Sequence, residues 1–528
     1  MDDWTRLERF LRLGTEAGVY RVPAPELTRD GAGAVLRCLT ADGARTVGRI
    51  ATVAGSGRAP RAEPAVFALA LAAAEGDDET RRLALAALPE VCRSGELLLR
   101  FAGYVGGMRG WGRGLREAVG RWYAAMPEDE LARQMVRHPA AGGWSHRDLL
   151  RLSHPKPDTD ARRVLYHWAT HGWPGVGREP HDMVQLRPIW AFEKVRYAHH
   201  AAEVAALVRE YGLPREAVPA HWLKERTVWE ALLSQMSLPE LLESLPALSR
   251  VGLLADPEIV YAVAQTVTDR RRLGAARLHP AAILAAREAY ARGHDGDTAK
   301  GRQPAPSSWE PSPRVLTVLD AAFDVALSLL PPTGRRFLIA LDVSGSMDTS
   351  PVTGMPGPTA RTLAAALTLA RVSTEGTDCR VLAFTAPDGG AGHGGRYGGG
   401  RSRLAPVELP SSGAVRLSDV LAASARVPFG GVDCALPMEW ALERGAAVDA
   451  FLILTDAETW YGARTPADAL RAYRARTGLG DARLIVAGLS SPGFSVADPD
   501  DAGMLDLIGF DPAAPWLLAD FAANGFST

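Results

Sequence analysis

The chain has 528 residues, 47% apolar and 23% charged, the composition of a water-soluble globular protein too long for one ordinary core, so roughly two to four domains are expected. No apolar stretch is long enough to cross a membrane, and none of the four cysteines (Cys38, Cys92, Cys379, Cys434) forms a C-x-x-C pair, which argues against a zinc module and a disulfide framework. The net charge of −2 conceals an asymmetry: residues 1–340 hold 45 Lys+Arg against 40 Asp+Glu, the remainder 14 against 21, so a polyanion partner would meet the first part, although a solvated helical surface accounts for the same charges.

Met1–Phe10 is charged and lacks the apolar core of a signal peptide, which makes the cytoplasm the expected location. From there to residue 290 the chain reads as helix after helix, clearest at Glu63–Glu75, Glu79–Cys92, Arg113–Met126 and Ala281–Arg292. Apolar residues recur at i, i+3 and i+4, and short Gly, Pro and Asp breaks separate the elements. Such a succession predicts a stacked α-solenoid, in which each helix pair buries its apolar face on the next. No fixed-period repeat is visible, so this expectation rests on pattern. Nine of the twelve histidines fall between His138 and His221, adding to the basic character of this half.

One stretch concentrates cations. Arg109, Arg113, Arg116, Arg121, Arg133, Arg137, Arg147, Arg151 and Lys156 occur with His138, His146 and His154, interleaved with Trp111, Trp122, Tyr123 and Trp144. Basic groups supply a salt-dependent attraction to phosphates, and aromatic or guanidinium planes stack unpaired bases. In a helix, Arg147, Arg151 and His154 stand at i, i+4 and i+7 and share one face. Against this, tryptophans at helical spacing more often fill cores than hold bases.

Gly293–Pro313 is rich in Gly, Pro and Ser and reads as a linker, with a helix expected at Arg314–Leu330. The texture then changes. Apolar β-type runs occur at Phe337–Leu341, Arg380–Phe384, Ala450–Leu454 and Arg483–Ala487, separated by helical stretches such as Ala360–Val372 and Pro466–Arg476. This alternation predicts a doubly wound, mainly parallel sheet with its ligand site at the carboxyl ends of the strands. Asp388–Arg403 reads as a flexible inserted loop.

At those strand ends stand Asp342, Ser344 and Ser346, in DVSGSM, and Asp456, in FLILTDAE. Carboxylate and hydroxyl oxygens on neighbouring strand ends are hard ligands that suit Mg²⁺, which keeps several waters and needs few protein ligands. The plain alternative is an Asp/Ser turn that caps the next helix.

With these residues in place, the C-terminal part resembles a von Willebrand factor A domain, and the four side chains resemble its metal-ion-dependent adhesion site. That family also uses a Thr from an intervening loop. The matching loop here is Gly430-Gly431-Val432-Asp433, which puts Val432, with no oxygen to offer, at the Thr position. LERFLRLGTEAGVY (7–20), WGRGLREAVGRWY (111–123), GWSHRDLLRLSHPKP (143–157), ARLHPAAILAA (276–286), GGVDCALPMEWA (430–441) and VADPDDAGMLDLIGFD (496–511) extend the match. Together they resemble the Ro autoantigen family, a TROVE module joined to an A domain, in its bacterial Rsr-type branch. The resemblance implies a ring of HEAT-like helical repeats over residues 1–292, a linker and connecting helix over 293–334, and a Rossmann-like A domain over 335–528 that closes the ring.

It also implies a non-catalytic RNA-binding protein. Y RNA would dock on an outer basic surface, single-stranded 3′ ends of misfolded non-coding RNA would thread the hole, and polynucleotide phosphorylase or another exoribonuclease would be scaffolded. A monomeric state without RNA goes with this. The expected RNA-binding residues are Arg113, Arg116, Arg137, Arg147, Arg151, His154 and Lys156. Of these Arg137 and His154 match family contacts, whereas a second basic position falls on Ala141. The expected metal ligands are Asp342, Ser344, Ser346 and Asp456. The competing function is a protein-binding scaffold that grips a partner carboxylate through the metal. No nucleophile elbow, P-loop or H-E-x-x-H supports an enzyme.

Overall fold

The computed structural model describes residues 1–172, 183–294, 308–385, 402–410, 414–456, 464–490, 493 and 495–526. The strands among them are β1 (Val19–Arg21), β2 (Ala140–Ala141), β3 (Trp144–Ser145), β4 (Phe337–Leu341), β5 (Cys379–Thr385), β6 (Arg403–Pro406), β7 (Ala450–Thr455), β8 (Arg483–Gly488) and β9 (Met504–Ile508). Seven of them form one sheet in the order β1-β9-β8-β7-β4-β5-β6. Every pairing is parallel except β5 with the edge strand β6.

The four expected strands are near-continuous apolar runs because both faces of this sheet are covered. Successive side chains point to opposite faces. Phe337, Ile339 and Leu341 face the core that holds Leu363, Leu367 and Phe521. Leu338 and Ala340 face the core that holds Met438, Leu470 and Tyr473. β5 and β7 flank β4, so the chain leaves β4 toward one side and later returns on the other. The carboxyl ends of β4 and β7 therefore form the topological switch point, where such sheets bind ligands.

The remaining described elements are mainly helices packed on their neighbours in sequence. Glu63–Glu75 forms as expected and is apolar almost all round, so it lies in the middle of the main helical core. Glu79–Cys92 is two helices, Asp78–Ala86 and Leu88–Val91. Pro89 has no N–H to continue the first helix but fits the first turn of the second.

The A-type domain touches both ends of the helical array, which closes it into a ring. At one end β1 joins the sheet beside β9, with Val19 opposite Asp506 and Arg21 opposite Ile508. At the other, Ala281 and Ala285 of the helix Pro280–Ala291 enter the sheet's core. Gly357, with φ 129°, permits the close approach there, since a Cβ on it would lie 2.4 Å from the Ala285 carbonyl oxygen. Arg292 donates to the Gly357 carbonyl at 2.7 Å.

Of the expected linker, residues 295–307 lie outside the described residues, as do 388–401 of the expected inserted loop. The linker's downstream end is anchored. Trp309 is buried, stacks on Tyr290 at 6.5 Å and donates its indole N–H to the Tyr290 carbonyl at 2.8 Å. The helix Pro313–Leu327 follows. No helix among the described residues is long and apolar enough to cross a membrane.

Candidate cation corner and nucleic-acid interface

The switch-point corner is built by strand register. Leu341 pairs with Leu454, which sets Asp342 beside Thr455 at the ends of adjacent strands. The buried Asp342 carboxylate accepts from the Ser344 amide at 2.8 Å and from the Thr455 hydroxyl at 2.8 Å. The Ser344 and Ser346 hydroxyls lie 2.9 Å apart, and Asp456 accepts from the Ser350 hydroxyl at 3.0 Å. Arg361 holds the turn from behind, donating to the Ser344 carbonyl at 3.0 Å and pairing with Asp348 at 2.5 Å.

Burial raises the Asp342 carboxyl above its ordinary range, and the charge of Asp456 adds to the shift. Two carboxylates pressed together in a poorly solvated corner favour a cation between them. The oxygens present are carboxylate and hydroxyl, which fit Mg²⁺ and not a softer metal. Among the described residues no three His, Cys, Asp or Glu side chains are grouped to hold a metal, so an ion here would depend on the serine hydroxyls. Val432 is buried in the apolar core with Leu338 and Met438 and adds no ligand. Asp433 turns its carboxylate to the Ala435 amide at 2.9 Å.

Four of the candidate RNA-binding cations lie on or just beyond the helix His146–Ser153, fixed at its start by a Ser145/Asp148 capping box. Arg147, Arg151, His154 and Lys156 are all exposed. The helix stops at Ser153, and His154 follows it in the left-handed region at φ 44°. The helix Arg113–Ala125 packs alongside, with Gly120 against Pro155, so Arg116, one turn earlier, belongs to the same region. Among the described residues the side chains of Arg116, Arg147 and Lys156 have no hydrogen-bond or ion-pair partner.

The other expected cations are engaged. Arg151 donates to the Thr170 carbonyl at 3.1 Å, Arg113 pairs with Glu117 at 2.7 Å, and Arg137 pairs with Glu240 at 2.5 Å. Trp122 and Tyr123 belong to the core: the Trp122 indole donates to the Cys92 carbonyl at 2.6 Å. His146 is buried against the Tyr123 hydroxyl at 2.8 Å, and burial lowers its imidazole to about 4, so it carries no charge at neutral pH. Trp111 and Trp144 are half-buried with ring centres 5.1 Å apart. Trp144 lines an open groove of about 450 Å³ with Asp148, Arg151 and Leu152.

Two features escape sequence reasoning. The guanidinium of Arg9 is wholly buried and donates to the carbonyl oxygens of Pro499, at 2.8 Å, and Asp501. The partner of Arg137, Glu240, lies 103 residues away in sequence. No periodicity or spacing predicts either contact.

Comparison with known proteins agrees with this architecture. The TROVE domain family model matches residues 1–174 and 212–332, and the Ro60 vWA domain model matches 336–522. The chain belongs to the Ro60 family. Its relatives include the RNA-binding protein RO60 of Deinococcus radiodurans, 36% identical over 526 residues, covering 99% of this chain and 93% of that one. The RNA-binding protein RO60 of Caenorhabditis elegans is 30% identical, over 99% of this chain and 88% of its own length. The crystal structure of the Deinococcus radiodurans RO (RSR) protein superposes with a TM-score of 0.87 at 35% identity, covering 99% of each chain. Membership in the Ro60 family thus extends through the helical ring and the A domain alike.

Proposed function

We propose that this chain is a non-catalytic RNA-binding ring that takes Y RNA and the single-stranded 3′ ends of misfolded non-coding RNA. In this reading it acts in RNA quality control as a scaffold for an exoribonuclease such as polynucleotide phosphorylase, and is a monomer without RNA. The observation that carries the proposal is the set of exposed cations around His146–Ser153, three of them without a protein partner among the described residues. Free guanidinium and ammonium groups attract phosphate without first breaking an ion pair. The whole-chain relationship to two proteins named as RNA-binding supports the same reading.

Arg116, Arg147 and Lys156 would contact phosphates directly. Arg113 and Arg151 would exchange their present partners for phosphate, Arg137 would contact it while keeping its pair with Glu240, and His154 would donate from the turn beyond the helix. Asp342, Ser344, Ser346 and Asp456 would hold Mg²⁺ weakly, water completing the shell that Val432 leaves open. That weakness disfavours the competing scaffold that grips proteins through the metal. The test is binding to a short duplex with a single-stranded 3′ tail, compared with the blunt duplex. Tail-dependent, salt-sensitive binding is expected; absence of binding to either RNA would refute the proposal.

A further inference from the structure

We infer that the cavity between the Gly212–Glu216 segment and the helix Leu238–Arg250 is a pocket for one unstacked pyrimidine base. The inference rests on the RNA-binding reading above and adds a specificity to it. The cavity measures about 150 Å³. A protein cavity of about that size admits benzene, so a single six-membered ring fits with room to spare and a fused purine fits less readily. Leu232 and Met236 supply apolar wall, and a thioether packs well on an aromatic ring.

The polar lining favours a neutral heterocycle. Arg137 and Arg215 bring two positive charges, and Glu216 and Glu240 bring two negative ones. These cancel, so the pocket has no net pull on a phosphate. It does offer donors and acceptors of the kind that read the edge of an extruded base. They are held in place. Glu240 is fixed by the Ser237 amide at 2.9 Å and hydroxyl at 2.8 Å, and in turn holds Arg137. The Gln235 amide is anchored by its bond to the Leu213 carbonyl at 2.6 Å.

The decisive group is Ser244. It lines the cavity, is 1% exposed, and its hydroxyl has no hydrogen-bond partner. Buried hydroxyls are nearly always satisfied, and one in a helix ordinarily bonds back to the carbonyl four residues earlier. Ser244 makes no such bond to Glu240. A ligand edge in the cavity would supply the missing partner.

The experiment uses the full-length protein and a duplex carrying either a uridine or an adenosine 3′ tail, with affinity read by fluorescence anisotropy. The uridine tail is expected to bind about tenfold tighter. Ser244→Ala should remove most of that preference and leave the adenosine-tail affinity unchanged. The free variant should melt no lower than wild type, because no existing hydrogen bond is lost and alanine suits a helix. Ser244→Leu, which fills the space, should abolish the preference; if it fails to fold, Ser244→Ala decides. Equal binding of the two tails by wild type, or a preference that survives both substitutions, would overturn the pocket and leave RNA binding standing. Binding to neither RNA would overturn both.

Discussion

Arg9→Ala should loosen the joint between the N-terminal segment and the A domain's sheet. Arg9 reaches the Pro499 carbonyl at 2.8 Å and the Asp501 carbonyl, with longer contacts of 3.4 Å to the Glu16 and Met504 carbonyls. Met504 opens β9, the strand that pairs with β1. Removing the guanidinium leaves two part-buried carbonyls without their charged donor. At about 1.5–3 kcal/mol for each charge-assisted bond, the loss is about 3–6 kcal/mol. Since about 1.4 kcal/mol is tenfold, amide protection across Val19–Arg21 and Met504–Ile508 should fall by about two to four orders of magnitude if this joint opens locally. Hydrogen exchange with peptide-level readout measures this directly. Arg9→Lys, which keeps the charge but reaches fewer carbonyls, should lie between. Protection within about threefold of wild type in Arg9→Ala would refute the idea that this cation holds the ring closed.

Three more perturbations follow from the A domain. Burial raises the Asp506 carboxyl from 3.8 to about 6, while it accepts from Ser495, Val496 and Ala497. A raised acid binds more protons when folded, so its contribution is fully present below about pH 4 and lost as pH rises through about 6, a swing of about 3 kcal/mol. Asp506→Asn does not titrate, so its melting temperature relative to wild type should rise between pH 4.5 and 7.5, as calorimetry at the two pH values would show. Val432→Thr adds the missing oxygen and should tighten Mg²⁺ binding about tenfold by isothermal titration, with a small loss of stability from burying a hydroxyl. Asp456→Asn removes a like charge beside Asp342 and should weaken Mg²⁺ binding while bringing the Asp342 carboxyl closer to its ordinary range, which carbon-13 NMR titration can follow.

The sheet's centre was legible because its strands are long apolar runs buried on both faces and separated by helical stretches. Its flank was not. β1 is only three residues, and β9 carries the buried Asp506, which spoils an apolar reading. The corner at the ends of β4 and β7 needs only residues adjacent in sequence and strands adjacent in space, so the meeting of Asp342 with the β7 end could be read in advance. The basic region was legible as a concentration of cations. Which of them are free depends on contacts such as Arg137 with Glu240, and sequence spacing says nothing about those. Arg9 was illegible for a related reason: nothing in the sequence marks it out from solvent-facing arginines, yet it is buried beneath a loop nearly 500 residues downstream, with one of its bonds spanning 490 positions.

The most direct test of the central claim is the salt dependence of binding to a 3′-tailed RNA, measured for wild type and for Arg147→Glu/Arg151→Glu. Each phosphate contact to a single strand contributes about 0.7 to the slope of log affinity against log salt. If the cations around His146–Ser153 are the phosphate track, the variant should bind at least about tenfold more weakly, with a slope shallower by about 1.4. Unchanged affinity and slope would show that RNA, if bound at all, is held elsewhere, and would contradict the account.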